Sequence, residues 1–480
     1  MSAIATPNAT NATIPAWESA SQPAPTGSFI IWMLALYVFF LSSRILDISG
    51  IWYLHLPMLF LAVLIVATLA KGDLKYAFRS KLTTWYLALN VWVCVAFPFS
   101  RWRGASVPFV ISSIESFGVY LVMVQLLRTE RDWRRAASGF ALGMLAASIF
   151  GIFYGRSVDG RLAIASGTLA DPNEFALRMV MGLPFWWYLA SHSKLGGKIV
   201  YFLATVPILF TFGRAGSRSG LLALSAVFVT MFIFANVTRK AIMCVVAAVT
   251  ITAGLALLPS YLRVRFTTVF TKHSASQLDE RDRNRLSADI DSSEGREMLL
   301  RQSIDMTLRH PIVGVGPGVF EDVALDERMA QKGTGGGLLV SHNTYTQISS
   351  ENGLPGFICF VGALFLAIKY SLTNYRQNRK QRPSISNSSF YLFVCLIGTA
   401  VGIFFLSIGY TMLLATLFAF AASLQLMAKL QTAGATALET GTVSSLPMTA
   451  PAQPSKPRAN FLNGRRVRFG RFAENRSRGQ

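Results

Sequence analysis

The stretch AIMCVVAAVTITAGLALLP at residues 241–259 is mostly apolar and carries no charged side chain. A helix of about 20 such residues crosses a hydrocarbon core about 30 Å thick and satisfies its own backbone hydrogen bonds there. Eleven further runs of this kind occur in a chain that is 52% hydrophobic and 12% aromatic. The sequence therefore predicts an all-α, polytopic integral membrane protein with about 12 transmembrane helices.

The predicted spans leave one long connection, between the ninth and the tenth. Eleven or thirteen spans are also compatible with the pattern, because the first and third runs are short and three residues separate the last two. The runs lie near residues 29–45, 51–70, 84–99, 107–127, 136–155, 174–190, 198–213, 220–237, 241–259, 354–372, 389–407 and 411–428.

The distribution of Lys and Arg gives the orientation, because short loops rich in these residues stay in the cytoplasm. The even-numbered connections carry the excess, so both chain ends are expected in the cytoplasm and the long connection outside it. The predicted parts are a polar N-terminal segment 1–28, transmembrane helices 1–9 at 29–259, an extracytoplasmic loop 260–353, transmembrane helices 10–12 at 354–428, and a disordered basic cytoplasmic tail 429–480.

The formal net charge of +21 does not come from the long loop, which holds eleven basic and thirteen acidic residues. It lies in the short loops and the tail, where membrane insertion and contact with anionic membrane lipids explain it. This distribution gives no support to nucleic-acid binding, and no nucleic acid is expected as a partner.

Several arginines lie on the predicted outer side, against the usual charge rule. A guanidinium matches phosphate oxygens in a bidentate manner, and charge near the membrane is costly unless partnered. The sharpest example is the turn GRAGSRSG at residues 213–220, where a helix N-terminus would also favour an anion. A tight interhelical turn whose arginines reach the headgroups is an equal alternative. The outward arginines are Arg101, Arg103, Arg156, Arg161, Arg214, Arg218, Arg263 and Arg265.

A polar segment with His342 and Asn343 precedes the tenth span. Histidine takes up and releases a proton near neutral pH, so His342 suits a general base, or alternatively packs the loop against the spans. Asn343 is of a type that caps helices. Glu351 is an alternative base, a residue that orients the histidine, or a solvated carboxylate. The histidines and acids show no metal-ligand spacing, so no metal is expected.

Arg296 follows an acid-rich stretch and begins a segment with Leu300, Ile304 and Leu308 at a spacing of four. This spacing predicts an amphipathic helix that lies on the membrane domain. The segment ends at His310-Pro311, where His310 would anchor the turn. The glycines at 314, 316 and 318 that follow are too weak a pattern for a nucleotide site, because no βαβ unit surrounds them.

Together these motifs resemble those of the O-antigen ligase and polymerase family of bacterial envelopes. The ligase signature, His-Asn followed after nine residues by Gly-x-x-Gly, is met by His342, Asn343, Gly353 and Gly356. Further matches are the Arg-x-x-x-Leu pattern at Arg218 and Leu222, the arginine Arg296 at the start of the helix before His310-Pro311, and Asp171-Pro172-Asn173.

The resemblance implies a GT-C-like membrane glycosyltransferase in the bacterial inner membrane, with its active site facing the periplasm or cell exterior. Residues 260–353 would then be the catalytic loop, the donor an undecaprenyl-diphosphate-linked glycan, and the acceptor the lipid A core or another glycan. The reaction would invert the anomeric carbon and need no cofactor. Catalytic roles are expected for His342, Arg218, Arg296 and Glu351, and substrate binding for Arg214, Asn343, Gly353, Gly356, Asn173 and His310.

Three other functions remain open at this point. A polymerase uses the same donor and extends the glycan on the lipid carrier, and a protein O-oligosaccharyltransferase transfers it to a protein. A polysaccharide transporter or flippase is a weaker alternative, because the halves of the chain show no internal repeat and Glu115 is the single carboxylate deep in a predicted span.

Overall fold

The computed structural model describes residues 26–48, 56–70, 72, 75–164, 167–267, 280–332 and 338–439. Most of the predicted polar N-terminal segment and of the predicted basic tail lies outside these residues. The chain divides into a main unit, Met1–Ala433, and a C-terminal unit, Gly434–Gln480.

Helices dominate the part of the chain that is described. In chain order they are α1 Ser28–Ser43, α2 Ile45–Ile48, α3 Leu56–Ala70, α4 Lys75–Phe78, α5 Lys81–Ala96, α6 Arg103–Leu126, α7 Glu130–Tyr154, α8 Pro172–Ser191, α9 Leu195–Leu203, α10 Thr205–Ala215, α11 Arg218–Phe234, α12 Val237–Leu257, α13 Ser260–Thr267, α14 Glu280–Arg309, α15 Phe320–Lys332, α16 Thr344–Gln377, α17 Pro383–Gly402 and α18 Met412–Glu439. Short 3₁₀ helices occupy Phe97–Phe99, Gly167–Ala170 and Ile403–Phe405.

The predicted polytopic membrane architecture is confirmed at this level. Among the described residues, eight helical stretches are long and apolar enough to cross a membrane, and α1, α3 and α11 are shorter apolar helices. Each predicted run overlaps a helix, and the run at 198–213 is built from α9 and α10 together. Residues 51–55 of the second run lie outside the described residues. The total of 12 spans and the GT-C-like assignment stay predictions.

The centre of the bundle is α8, which packs against α7, α10, α11 and α17. Most of its residues are apolar, and its side chains are buried along nearly the whole length. Asp171 caps the helix by accepting a hydrogen bond from the Asn173 N–H. Aromatic packing joins α7, α8 and α18 through Trp133, Phe185 and Phe420. This packing holds α8 in the bundle, and the start of the helix then meets the turn before α11.

A small β-hairpin follows α7 and departs from the predicted all-α class. Strands β1 Arg156–Val158 and β2 Arg161–Ala163 pair antiparallel across Asp159 and Gly160. Both turn residues have positive φ, 50° and 80°, which is the geometry of the two-residue hairpin turn that Asp-Gly favours. The hairpin carries Arg161 to the start of α8.

The segment predicted as one long loop contains three helices, α13 to α15, and the first turns of α16. Helix α14 begins at Glu280, so Arg296 lies well inside it and not at its start. The predicted apolar face is also wrong: Leu299, Ser303 and Met306 are buried, whereas Ile304 and Leu308 are 45% and 72% exposed. Residues spaced four apart do not stay on one face of a helix with 3.6 residues per turn. The buried face also contains the polar residues Ser303 and Thr307, whose hydroxyl groups donate to carbonyls of α14.

Candidate functional site

A cavity of about 360 Å³ opens where the starts of α11 and α16 meet the middle of α14 and the 3₁₀ helix Ile403–Phe405. Its lining combines cationic and apolar side chains. The lining residues are Arg218, Ser219, Leu222, Arg296, Glu297, Leu300, Ser341, His342, Asn343, Phe404 and Phe405.

His342 lines the cavity and directly precedes Asn343, the cap of α16. Its φ of 50° is left-handed, a conformation that costs a non-glycine residue free energy and often marks a functional position. Asn343 holds this turn, because its Oδ1 accepts hydrogen bonds from the backbone N–H groups of Tyr345 and Thr346 at 2.9 and 3.2 Å. The predicted capping role of Asn343 is therefore confirmed.

Arg218 is the first residue of α11 and follows the predicted tight turn. Gly216 takes a left-handed φ of 58° and ends α10, and Ser217 caps α11 by accepting a hydrogen bond from the Gly220 N–H at 3.0 Å. The turn directs Arg218 into the cavity. Arg214, in the last turn of α10, is half-buried and lies outside the cavity lining among the described residues.

Two buried arginines support this turn from below. Arg161 Nε donates to the Ala215 carbonyl at 2.9 Å, and Arg265 Nε donates to the Gly216 carbonyl at 2.7 Å. The two residues are only 9% and 2% exposed. They satisfy carbonyl groups that the end of α10 leaves open, so they fix the backbone directly before Arg218.

Asn173 joins the start of α8 to the same turn. Its Oδ1 accepts from Arg161 Nη2 at 2.7 Å and from Ser217 Oγ at 2.9 Å, while its Nδ2 donates to Asp171 at 3.0 Å. Asn173 is buried and lies outside the cavity lining of the described residues, and its hydrogen bonds hold the turn before α11. Its predicted role in substrate binding stays a prediction.

The electrostatics of the site are dominated by guanidinium groups. Burial, with smaller contributions from Arg296 and Arg218, lowers the pKa of Arg161 to about 10, although Asp171 opposes the shift. Burial and the same neighbours also lower the pKa of Arg265. Glu297, an acid in the lining, is exposed and pairs with Arg301 at 2.6 Å. A cluster of this kind favours an anionic ligand, because like charges in one cavity repel until an anion joins them.

Arg296 offers a further sign of an anion site. Its Nε is buried and has no hydrogen-bond partner among the described residues, although it lies in the cavity lining. A buried donor without an acceptor is costly, and such groups in native structures often await a ligand.

His342 is neutral at physiological pH. Burial and, to a lesser degree, the charge of Arg296 lower its pKa to about 4, although Asp171 works in the opposite direction. A neutral imidazole has a free nitrogen that can accept a proton, as a general base must. An anion bound beside Arg296 would offset the positive charge and make the imidazole more basic.

Glu351 lies away from the cavity among the described residues. It is 3% exposed, so the solvated carboxylate considered from sequence is wrong, and its Oε2 accepts a hydrogen bond from the Tyr410 hydroxyl at 2.7 Å. Gly353 lies at a kink in α16 with φ of 69°, and Gly356 packs against Trp92 and Asn352. The two glycines of the signature therefore shape α16, and neither lines the cavity.

His310 also lies outside the described cavity lining. Its Nε2 is 3.1 Å from Arg101 Nη2 on an exposed surface, and its carbonyl accepts a hydrogen bond from the Gly314 N–H. This geometry agrees with the turn-anchoring interpretation.

The cavity thus unites four of the residues predicted from sequence, Arg218, Arg296, His342 and Asn343. Sequence reasoning did not select Arg161 or Arg265 as site residues, although both stood among the outward arginines. It gave no signal for Phe404 and Phe405, which lie in an apolar run like the others. Within the described ranges, no group of three His, Cys, Asp or Glu side chains could hold a metal ion.

The fold and the cavity define a multi-pass membrane protein with a cationic, partly apolar site. Residues 203–361, which include the turn before α11, all of α14 and the start of α16, match the family model described as O-antigen ligase. The chain is O-antigen ligase-like over this segment, which confirms the resemblance drawn from its motifs. The match supports membrane glycan transfer of the ligase or polymerase type. No curated protein matches the chain.

Proposed function

We propose that the protein is an inner-membrane glycosyltransferase that moves a glycan from undecaprenyl diphosphate to a hydroxyl acceptor such as the lipid A core. The observation that carries the proposal is the shared cavity of His342, Arg218 and Arg296. The cavity contains a neutral imidazole and two guanidinium groups, which are of the kinds that serve as a base and bind phosphate. The site would face the periplasm or cell exterior, as the charge distribution of the loops predicts.

The reaction follows from these groups. The acceptor hydroxyl attacks the anomeric carbon, His342 takes the hydroxyl proton, and the bond from that carbon to the diphosphate breaks with its electron pair on the leaving oxygen. Arg218 and Arg296 stabilise the negative charge that develops on the diphosphate. A single displacement inverts the anomeric carbon. Protonated His342 and the two arginines offset the negative charge that develops, and the proposed step includes no metal ion.

The apolar part of the lining supports a lipid-linked donor. Leu222, Leu300, Phe404 and Phe405 lie beside the arginines. Phe404 belongs to a stretch that is apolar enough to span a membrane, and its side chain is exposed. An isoprenoid chain therefore has an apolar surface next to the group that holds its diphosphate.

The direct test is glycan transfer by the purified protein in detergent or liposomes with undecaprenyl-diphosphate-linked glycan. Three acceptors are compared: lipid A core, a second lipid-linked glycan unit, and a pilin-type protein substrate. Product on the lipid A core is the expected result. Longer glycan on the lipid carrier would identify a polymerase, and glycosylated protein an O-oligosaccharyltransferase. Movement of the donor across the bilayer without any transfer would overturn the proposal in favour of a flippase.

A further inference from the structure

Glu351 is the centre of a buried junction between three parts of the protein. Its carboxylate is hydrogen-bonded by the Tyr410 hydroxyl and by the backbone N–H groups of Gly318 and Phe320. Phe320 is the first residue of α15, so its N–H is one of those that the start of a helix leaves without an intrahelical partner. Glu351 thus connects α16, the start of α15 and the segment before α18.

The backbone around Glu351 connects the same parts. The Val315 N–H donates to the Ser350 carbonyl at 2.8 Å, and the Gly316 N–H donates to the Glu351 carbonyl at 3.0 Å. The Leu354 N–H returns a bond to the Pro311 carbonyl at 2.7 Å. The segment from Pro311 to Phe320 is therefore attached along one side of α16.

The fit between this segment and α16 is too close for side chains. A Cβ on Gly314 would lie 2.3 Å from the carbonyl carbon of Glu351, and a Cβ on Gly353 would lie 2.1 Å from the Ile312 oxygen. Both glycines also have positive φ. The two glycines allow the backbone of the 311–320 segment to lie directly against that of α16. The Glu351 carboxylate is then close to the N–H groups of Gly318 and Phe320.

This junction joins α14 and α16, the two helices that bring Arg296 and His342 to the cavity. Helix α14 carries Arg296 and runs directly into the attached segment, whereas α16 begins one residue after the Asn343 cap that follows His342. Thr307 of α14 and Ser349 of α16 add a hydroxyl contact of 2.8 Å. The position of Arg296 relative to His342 therefore depends on how firmly α14 and its attached segment are held on α16.

We propose that Glu351 is a positioning residue that holds Arg296 opposite His342 and takes no proton from the acceptor. The inference rests on the proposed function for the roles of Arg296 and His342. Its own support is geometric: Glu351 is buried, its carboxylate accepts a hydrogen bond from Tyr410 and its carbonyl one from Gly316, and the described cavity lining does not include it.

Hydrogen–deuterium exchange tests the junction without any activity. In the wild-type protein the amides of Val315, Gly316 and Leu354 should be protected. Glu351→Leu, which fills the space but accepts no hydrogen bond, should raise the exchange rate of the peptide covering residues 311–320 about tenfold or more, while peptides from α7 stay unchanged. Asp326→Asn, an exposed acid on α15, is the matched control and should leave all peptides unchanged. Unaltered exchange in Glu351→Leu would overturn the proposal.

Transfer kinetics then separate positioning from base catalysis. Displacement of Arg296 in Glu351→Leu should lower kcat/KM about 100-fold, since small misplacements of a catalytic group have effects of that size. Glu351→Gln keeps an acceptor oxygen and should recover most of the loss, with the pH profile of the wild type. Full loss in Glu351→Gln together with wild-type exchange would identify Glu351 as a base and overturn the proposal. If wild type itself transfers no glycan, the proposed function fails, while the exchange experiment still decides whether the junction exists.

Discussion

His342 and Arg296 line one cavity, although His342 precedes the cap of α16 and Arg296 lies inside α14. Arg296 contributes to the lowered pKa of His342, so the two side chains influence each other before any ligand arrives. A bound diphosphate would alter this relationship, because its charge would offset that of the guanidinium. A neutral imidazole therefore shares the cavity with a guanidinium whose Nε has no hydrogen-bond partner among the described residues.

Replacement of His342 by asparagine should abolish most glycan transfer without loss of folded protein. Asparagine tolerates the left-handed backbone that His342 adopts, so the variant removes the base and keeps the turn. We expect kcat to fall about 10²- to 10⁴-fold. His192→Asn, at the far end of α8, is the matched control and should transfer like the wild type. Normal rates in His342→Asn would exclude His342 as the base.

The pH dependence of transfer should reflect the low pKa of His342. In the free enzyme this pKa is about 4, so kcat/KM should not fall through loss of the base between about pH 5.5 and 8. The acid limb of the kcat profile reports the pKa of His342 in the donor complex. It should lie at higher pH than the limb of kcat/KM, because the negative charge of the diphosphate offsets the positive charge of Arg296. Identical limbs for kcat and kcat/KM would contradict the expected coupling.

The same pKa predicts a pH effect on stability. The folded protein holds His342 neutral down to about pH 4, whereas the unfolded chain takes up the proton near the ordinary value of 6.5. The unfolded state binds more protons between pH 4 and 6.5 than the folded state does. The contribution of His342 to the free energy of unfolding is therefore present above pH 6.5 and is lost as the pH falls toward 4. Thermal midpoints of wild type and His342→Asn should therefore converge or cross on acidification. A constant difference between pH 7 and pH 4 would show that the imidazole is not buried as described.

The two cavity arginines should not be replaceable by lysine. Lysine keeps the charge but loses the forked geometry that matches a diphosphate, so Arg218→Lys and Arg296→Lys should each lower kcat about 10²- to 10³-fold. Arg309→Lys serves as the control on α14, because Arg309 is partly exposed and pairs with Asp305 and Glu327. Steady-state transfer kinetics at saturating donor make the comparison.

The hydrogen bond between Asn173 and Ser217, next to Arg218, should make the effects of substitutions at these two residues non-additive. Asn173→Ala and Ser217→Ala each remove a partner from a buried hydrogen bond of 2.9 Å and should reduce the free energy of unfolding by about 1–3 kcal/mol. The double variant should lose less than the sum of the two, because both delete the same contact. Chemical denaturation in detergent measures the three values, and strict additivity would contradict the network.

Gly353→Ala should be among the most destabilising small substitutions in the protein. The added Cβ would lie 2.1 Å from the Ile312 oxygen, at a residue with φ of 69°. We expect a loss of about 3 kcal/mol or more, since backbone conflict and an unfavourable φ act together. Gly254→Ala, within α12, meets nothing within 4 Å and should change stability by about 1 kcal/mol or less.

Much of the membrane architecture was predictable because it depends on hydropathy alone. The hairpin β1–β2 was missed although Asp159 and Gly160 form a known turn pair, since three-residue strands are too short to show an alternating pattern. The buried face of α14 was assigned wrongly because α15 and α16, which cover it, select Leu299 and Met306 through packing that periodicity does not encode.

The candidate site was predictable where chemistry follows a local motif. Histidine before a helix cap and arginine at a tight turn are visible in sequence, and both line the cavity. The roles of Arg161 and Arg265 depend on carbonyl groups of residues 215 and 216, which only the tertiary fold brings to them. Likewise Glu351 stands in the right segment, but its partners Gly318, Phe320 and Tyr410 come from distant parts of the chain.

The most direct test of the central claim is photo-crosslinking with an undecaprenyl diphosphate that carries a photoreactive group on its first isoprene unit. The cavity should be labelled at Leu222, Leu300, Phe404 or Phe405, as mapped by mass spectrometry. Unlabelled donor should compete, and the double variant Arg218→Gln, Arg296→Gln should lose the labelling. Competed labelling elsewhere in the bundle, unaffected by the two substitutions, would contradict the assignment of this cavity as the donor site.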